Sequence, residues 1–189
     1  MAQAKTLTQA EIDQVLRYIA QKQRYSARNR AMLLMSYYSG MRCGEIAAVR
    51  IGDVRNDDGT IKHEVRLSAD QTKGSTGRTV FFNEKLRAEI ASYLRTHKHR
   101  HPTEPLFFTE KQIGFSANSL AQWFFWVYKK AGVSGASSHS GRRTFITSLA
   151  NKGIGVRVLA SLAGHKSIQV TQHYIDVNDG MKRAAVELV

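Results

Sequence analysis

IKHEVRLSADQTKGSTGRTVFF, residues 61–82, is the stretch that decides the fold class. Ile61, His63, Val65, Leu67 and Ala69 alternate with Lys62, Glu64, Arg66 and Ser68. A period of two with apolar residues on one side predicts a half-buried strand over 61–69. Residues 70–77, DQTKGSTG, are small and polar and predict a hairpin tip, with Thr79 to Phe82 as the returning strand. Asn56-Asp57-Asp58-Gly59 supplies turn chemistry just before the first strand.

Outside this hairpin the period is helical. Thr8 to Glu11 reads as a capping box, and Ile12, Val15, Leu16 and Ile19 follow on one face. A second helix is expected from Ser26, ending at Gly40, and a short one over 44–49. Asn83 is placed to cap a helix carrying Leu86, Ile90, Tyr93 and Leu94. An aromatic helix is expected over 118–131, then shorter helices near 139–151, 155–163 and 167–175, then a tail over 180–189. The expected fold is mainly α with a small antiparallel β-sheet, an α+β class, in a single domain over 1–189.

Composition narrows the function classes. The 189 residues include 28 Lys plus Arg against 15 Asp plus Glu, a formal net charge of +13. So much like charge gives nothing to the fold and points to a polyanionic partner. A hydrophobic content of 42% excludes a disordered basic tail. The lone cysteine, Cys43, excludes an internal disulfide and a cysteine-based zinc site. No apolar run reaches the ~18 residues of a membrane span, and the first residues lack the apolar core of a signal peptide. The expected location is the cytoplasm, with nucleic acid rather than a membrane as the partner.

Several local patterns carry chemistry. Arg42 lies just past Gly40, with Glu45 at i+3. Lys73 sits on the hairpin tip, with Arg78 as the nearby basic alternative. His139 and Arg142 stand at i, i+3 where a helix opens. Ala163-Gly164-His165 precedes Tyr174. Paired arginines bind phosphate oxygens through their planar forks, and a tyrosine can be a covalent nucleophile. Together they suit a phosphodiester.

In order, spacing and placement, Gly40-Met41-Arg42 with Glu45, Thr72-Lys73, His139-x-x-Arg142, Ala163-Gly164-His165 and Tyr174 resemble the catalytic domain of the tyrosine recombinases, or phage-type integrases. The resemblance covers about residues 7–178. It implies a site-specific recombinase that cleaves and rejoins DNA strands without ATP, metal or other cofactor. By resemblance, Arg42 and Arg142 bind the scissile phosphate and His165 hydrogen-bonds it. Lys73 is the general acid on the leaving 5′ oxygen, and His139 assists proton transfer at the nucleophile. Tyr174 forms a 3′-phosphotyrosyl bond, and Glu45 orients Arg42.

Double-stranded DNA is the implied partner. The implied assembly is a homotetramer on paired sites, a monomer or weak dimer when free, with the 180–189 tail swapped between subunits. Family members usually add an N-terminal core-binding domain, which is not expected here. A non-catalytic DNA-binding regulator and a type IB topoisomerase-like relaxing activity are the alternatives.

Gly141, Arg143 and Ala163 depart from the usual residues of the family and are expected to affect packing rather than the reacting groups. His97, His99 and His101 form a basic loop better suited to DNA or solvent than to zinc. Trp123, Phe124, Phe125 and Trp126 cannot share one helix face, so some are expected to cover a neighbouring element, in core packing rather than base stacking.

Overall fold

A computed structural model describes residues 4–72, 76–96, 101–111, 113–175 and 179–187. The hairpin comprises β1 (Glu64–Leu67) and β2 (Arg78–Phe81), antiparallel, with Val65 opposite Val80 and Leu67 opposite Arg78. Val65 and Leu67 are buried while Glu64 and Arg66 are exposed. The strand is shorter than its alternation predicts, and His63 is exposed. Gln71 explains the far end. Its side chain is buried and donates to the Ala48 carbonyl at 3.0 Å and to Asp53 Oδ2 at 2.6 Å. Drawing Gln71 inward turns residues 69–71 into a 3₁₀ turn instead of continued strand.

Ten helices surround the hairpin among the described residues. The Thr8 hydroxyl caps α1 (Gln9–Lys22) while Glu11 reaches back to the Thr8 backbone N–H at 2.9 Å. The face Ile12, Val15 and Ile19 is buried as the spacing requires. Each such aliphatic contributes about 1.5–3 kcal/mol relative to exposure.

Central to the packing is α2 (Ser26–Ser39), which contacts α1, α5 (Glu84–Arg95) and α7 (Ser140–Asn151). Its residues 31–36 are all buried, so no single apolar stripe marks it in sequence. Where α7 crosses α2, Gly141 permits the approach, because a Cβ there would lie 2.5 Å from Ser36 Oγ. The packing role expected of position 141 is thus met by the absence of a side chain.

On the other flank, α3 (Cys43–Ala48) packs on α6 (Ala117–Lys130). Within α6, Phe124 is fully buried and Trp123 meets it edge-on at 4.9 Å. Phe125 and Trp126 are about half exposed, at 49% and 50%, so the four aromatics do not share one face and only part of the run is in the core. Successive helical residues point about 100° apart, so burying Phe124 turns its C-terminal neighbours outward.

The single-turn α4 (Ile51–Val54) has no sequence counterpart, being too short to show a period. The chain ends with α8 (Val156–Ala163), the short α9 (Ile168–Gln172) and α10 (Asp179–Val186), so the expected tail is largely helical. Among the described residues, no helix is long and apolar enough to cross a membrane.

Candidate active site

Gly40 adopts a left-handed conformation, φ 64°, and ends α2. The chain turns there and delivers Arg42 to the start of α3. Glu45, one turn on, accepts from the Arg42 backbone N–H at 2.8 Å and from Arg42 Nη1 at 3.0 Å. Its carboxylate is only 1% exposed, so this is no solvated surface pair.

Glu45 also holds Arg78 from β2, through Nε at 3.0 Å and Nη2 at 2.8 Å. Arg78 is therefore an ion-paired part of the scaffold and not a free hairpin cation. Burial pushes the Glu45 carboxyl pKa upward. The Arg78 hydrogen bond and charge, with the Arg42 backbone and charge, more than reverse that and hold it below its ordinary value.

The C-terminal turn of α8 gathers three guanidinium groups. Arg78 donates to Leu162 O at 2.8 Å, Arg142 to Ala163 O at 2.6 Å and Arg42 to Gly164 O at 3.2 Å. These carbonyls have no partner within their own helix and form the negative end of its dipole. Arg142, projecting from α7, is 3% exposed and also donates to Gly40 O at 2.6 Å. Two carbonyls thus fix its guanidinium plane. Burial, then the neighbouring Arg42 charge, lowers its pKa to about 10.

Gly164 makes this convergence possible. It sits at φ 63°, and a Cβ on it would lie 2.5 Å from Arg78 Cδ. His165 follows directly and hydrogen-bonds Thr171 Oγ1 through Nδ1 at 2.8 Å. Burial, then the charges of Arg142, Arg42 and Arg78, pushes its pKa down to about 4, so the ring is neutral at pH 7.

Tyr174 lies just beyond α9. Its carbonyl accepts from Thr147 Oγ1 of α7 at 3.2 Å, and its ring stacks on His165 with centroids 5.6 Å apart. Arg42, Arg142, His165 and Tyr174 therefore meet in one place, although they come from four separate segments. His139 is exposed at the N-terminus of α7 and lines a cavity of about 440 Å³ with Tyr174 and Arg143. Lys73 lies outside the described residues, as do His97 and His99. Among the described residues, no group of three or more His, Cys, Asp or Glu could hold a metal ion.

Chemically, the site presents three guanidinium groups against the one Glu45 carboxylate, beside a neutral histidine and a phenol. That surplus of buried positive charge calls for an anion. The model of the phage integrase family matches residues 5–181.

The chain belongs to the phage integrase family.

It is 28% identical over 176 residues to the tyrosine recombinase XerC of Lactobacillus leichmannii, which covers 90% of this chain and 57% of that protein. The crystal structure of XerA recombinase superposes on 100% of this chain and 66% of its own, with a TM-score of 0.79 at 23% identity. The Tn1549 transposon integrase, in complex with transposon right end DNA, has a TM-score of 0.76 at 19% identity over 100% of this chain and 67% of its own. The chain thus spans less than two thirds of the length of the curated XerC it matches.

Arg78 and Arg143 are what the sequence did not disclose. Arg143, expected to matter only for packing, has its guanidinium carbon 5.3 Å from the centre of the Tyr174 ring. Arg78 falls just before the returning strand expected over Thr79 to Phe82, yet the structure pairs it with Leu67. That register turns its side chain toward α3 and α8. No sequence signal marks Arg143.

Proposed function

We propose that this member of the phage integrase family cleaves and rejoins DNA strands by transesterification at a single phosphodiester. The gathering of Arg42, Arg142 and His165 beside Tyr174, on a scaffold held in place by Glu45 and the end of α8, is the observation that carries this function.

Tyr174 Oη attacks the scissile phosphorus, a 3′-phosphotyrosyl bond forms, and the bond to the 5′ oxygen breaks. Arg42 and Arg142 hold the equatorial oxygens, where most of the transition-state charge collects. Nδ1 of His165 is engaged by the Thr171 hydroxyl, and in the neutral tautomer protonated at Nε2 the ring hydrogen-bonds a phosphate oxygen through that N–H. His139, on the cavity beside Tyr174, takes part in removing the phenol proton. Lys73 protonates the departing 5′ oxygen. A 5′-hydroxyl of another strand then attacks the phosphotyrosine, the P–O bond to Tyr174 breaks, and the strand is resealed.

Double-stranded DNA is the substrate, as the +13 charge supports. The Tn1549 integrase, which shares the fold, is in complex with transposon right end DNA. On paired sites the chain works as a homotetramer, with the C-terminal helix docked on a neighbouring subunit. Val186 of that helix is 71% exposed and would be covered there.

Trapping on a nicked suicide duplex tests the chemistry. The wild-type chain should accumulate a covalent protein–DNA adduct, and Tyr174→Phe should form none while binding the duplex with unchanged affinity. An adduct from the Phe variant would overturn the assignment of the nucleophile. DNA binding without any wild-type adduct would favour a regulator.

A further inference from the structure

We infer that Arg143 is a positioning residue for the nucleophile, and that it ties the placement of Tyr174 to the segment leading into α1. The inference rests on the strand-cleavage function proposed above.

Arg143 is 9% exposed, which for a guanidinium calls for compensating partners. Among the described residues no carboxylate lies within ion-pair distance of it. It meets instead the Tyr174 ring, at 5.3 Å, and Thr6 Oγ1, to which its Nε donates at 3.1 Å. A cation over an aromatic face is attracted by the ring quadrupole, and more strongly so when water is excluded. The guanidinium therefore has a directional reason to hold the phenol ring where it stands.

Thr6 gives that guanidinium its own anchor. The segment before α1 is bound to the same helix that carries Arg143, since the Leu7 N–H donates to Thr144 Oγ1 at 2.8 Å. Thr144 in turn donates to Ser140 O at 2.8 Å. Lys5 Nζ reaches Ser134 O at 3.2 Å, just ahead of α7. Ala4 lines the cavity shared by Tyr174, His139 and Arg143. A displacement of residues 4–7 would thus be felt first by Arg143 and through it by the ring that carries the attacking oxygen.

The Tyr174 backbone is tied through Thr147 and its ring touches His165, but neither contact involves the entering segment. Among the described residues, Arg143 touches both, through the Tyr174 ring and Thr6 Oγ1. A shift of ~1 Å in a reacting group can cost ~10²-fold in rate, so small rotations of this ring matter.

The test is single-turnover adduct formation on saturating nicked duplex, with duplex affinity measured separately by fluorescence anisotropy. Arg143→Ala should slow adduct formation about 10- to 100-fold at unchanged affinity. Arg143→Lys, which keeps the charge but not the planar group, should recover part of that loss. Thr6→Val removes only the anchor and should slow the same step by a smaller factor.

Unchanged adduct rates in Arg143→Ala and Thr6→Val, with a normal wild-type adduct, would overturn this inference and leave strand cleavage standing. Weakened duplex binding in Arg143→Ala, with the rate at saturation unaltered, would also overturn it and make Arg143 a DNA contact. A wild-type chain with no adduct would remove the strand-cleavage function and this inference together. Should Arg143→Ala fail to fold, Thr6→Val decides the matter alone.

Discussion

The guanidinium side of the site and the side that carries Tyr174 are built differently. On the first, Glu45 and Arg142 are 1% and 3% exposed, and α8 carbonyls and a buried carboxylate fix every guanidinium. On the second, α9 is five residues long, Thr171 is its one buried residue, and Ile168 and Val170 are 39% and 46% exposed. Tyr174 is held by two backbone hydrogen bonds, its N–H to Thr171 O at 2.9 Å and its carbonyl from Thr147 Oγ1 at 3.2 Å, and by two ring contacts. The guanidinium cradle is thus fixed by many contacts, while the proposed nucleophile is held by fewer. Pre-built electrostatics need no reorganisation during reaction, whereas a nucleophile that must attack and later be released gains from light restraint.

Substitutions on the two sides should separate stability from chemistry. The largest effect belongs to Glu45→Ala, which leaves Arg42 and Arg78 without their buried counter-charge. It should cost about 3–5 kcal/mol in denaturant unfolding. A loss below 1 kcal/mol would mean that the α8 carbonyls alone hold the arginines.

Gly164→Ala comes next. Its φ of 63° and the 2.5 Å approach to Arg78 Cδ should cost about 1–3 kcal/mol and weaken duplex binding. An unchanged melting temperature would show that Arg78 moves aside freely.

A pH titration sharpens the contrast further. The folded pKa of His165 is depressed to about 4 from 6.5. Below pH 6.5 the unfolded chain therefore binds a proton that the folded site resists. The melting temperature should fall as pH drops from 6.5 toward 4, and His165→Asn should flatten that part of the curve. Glu45 adds its loss only below its ordinary value of 4.5, because its folded pKa is lowered.

The smallest effect is expected on the other side of the site. Tyr174→Phe should unfold within about 0.5 kcal/mol of the wild type, although it abolishes the adduct. A substantial loss would show that the phenol hydroxyl is part of the scaffold.

Local signals in the sequence foretold much of this arrangement. The hairpin, the Thr8 and Asn83 caps and the helix ends at Gly40 and Gly164 all follow from neighbouring residues, and the structure has each of them. Arg42, Arg142, His165 and Tyr174 were marked by motif and spacing, and the structure brings these four together. His139 lies beside them on the cavity wall. The fully buried α2, the single-turn α4 and the inward turn of Gln71 were not legible. A helix buried all round shows no stripe, four residues show no period, and Gln71 turns inward for partners at Ala48 and Asp53.

The sequence by itself pointed to a polyanionic partner through charge, set the helix-and-hairpin order through periodicity and caps, and marked the candidate site residues through motif. Only the tertiary structure decided which cations support the site. Arg78 and Arg143 look like surface charges along the chain, yet one is locked to Glu45 and Leu162 O and the other lies against the ring of Tyr174. A charge gains its role from what faces it once water is excluded, and that neighbour is supplied by a distant part of the chain.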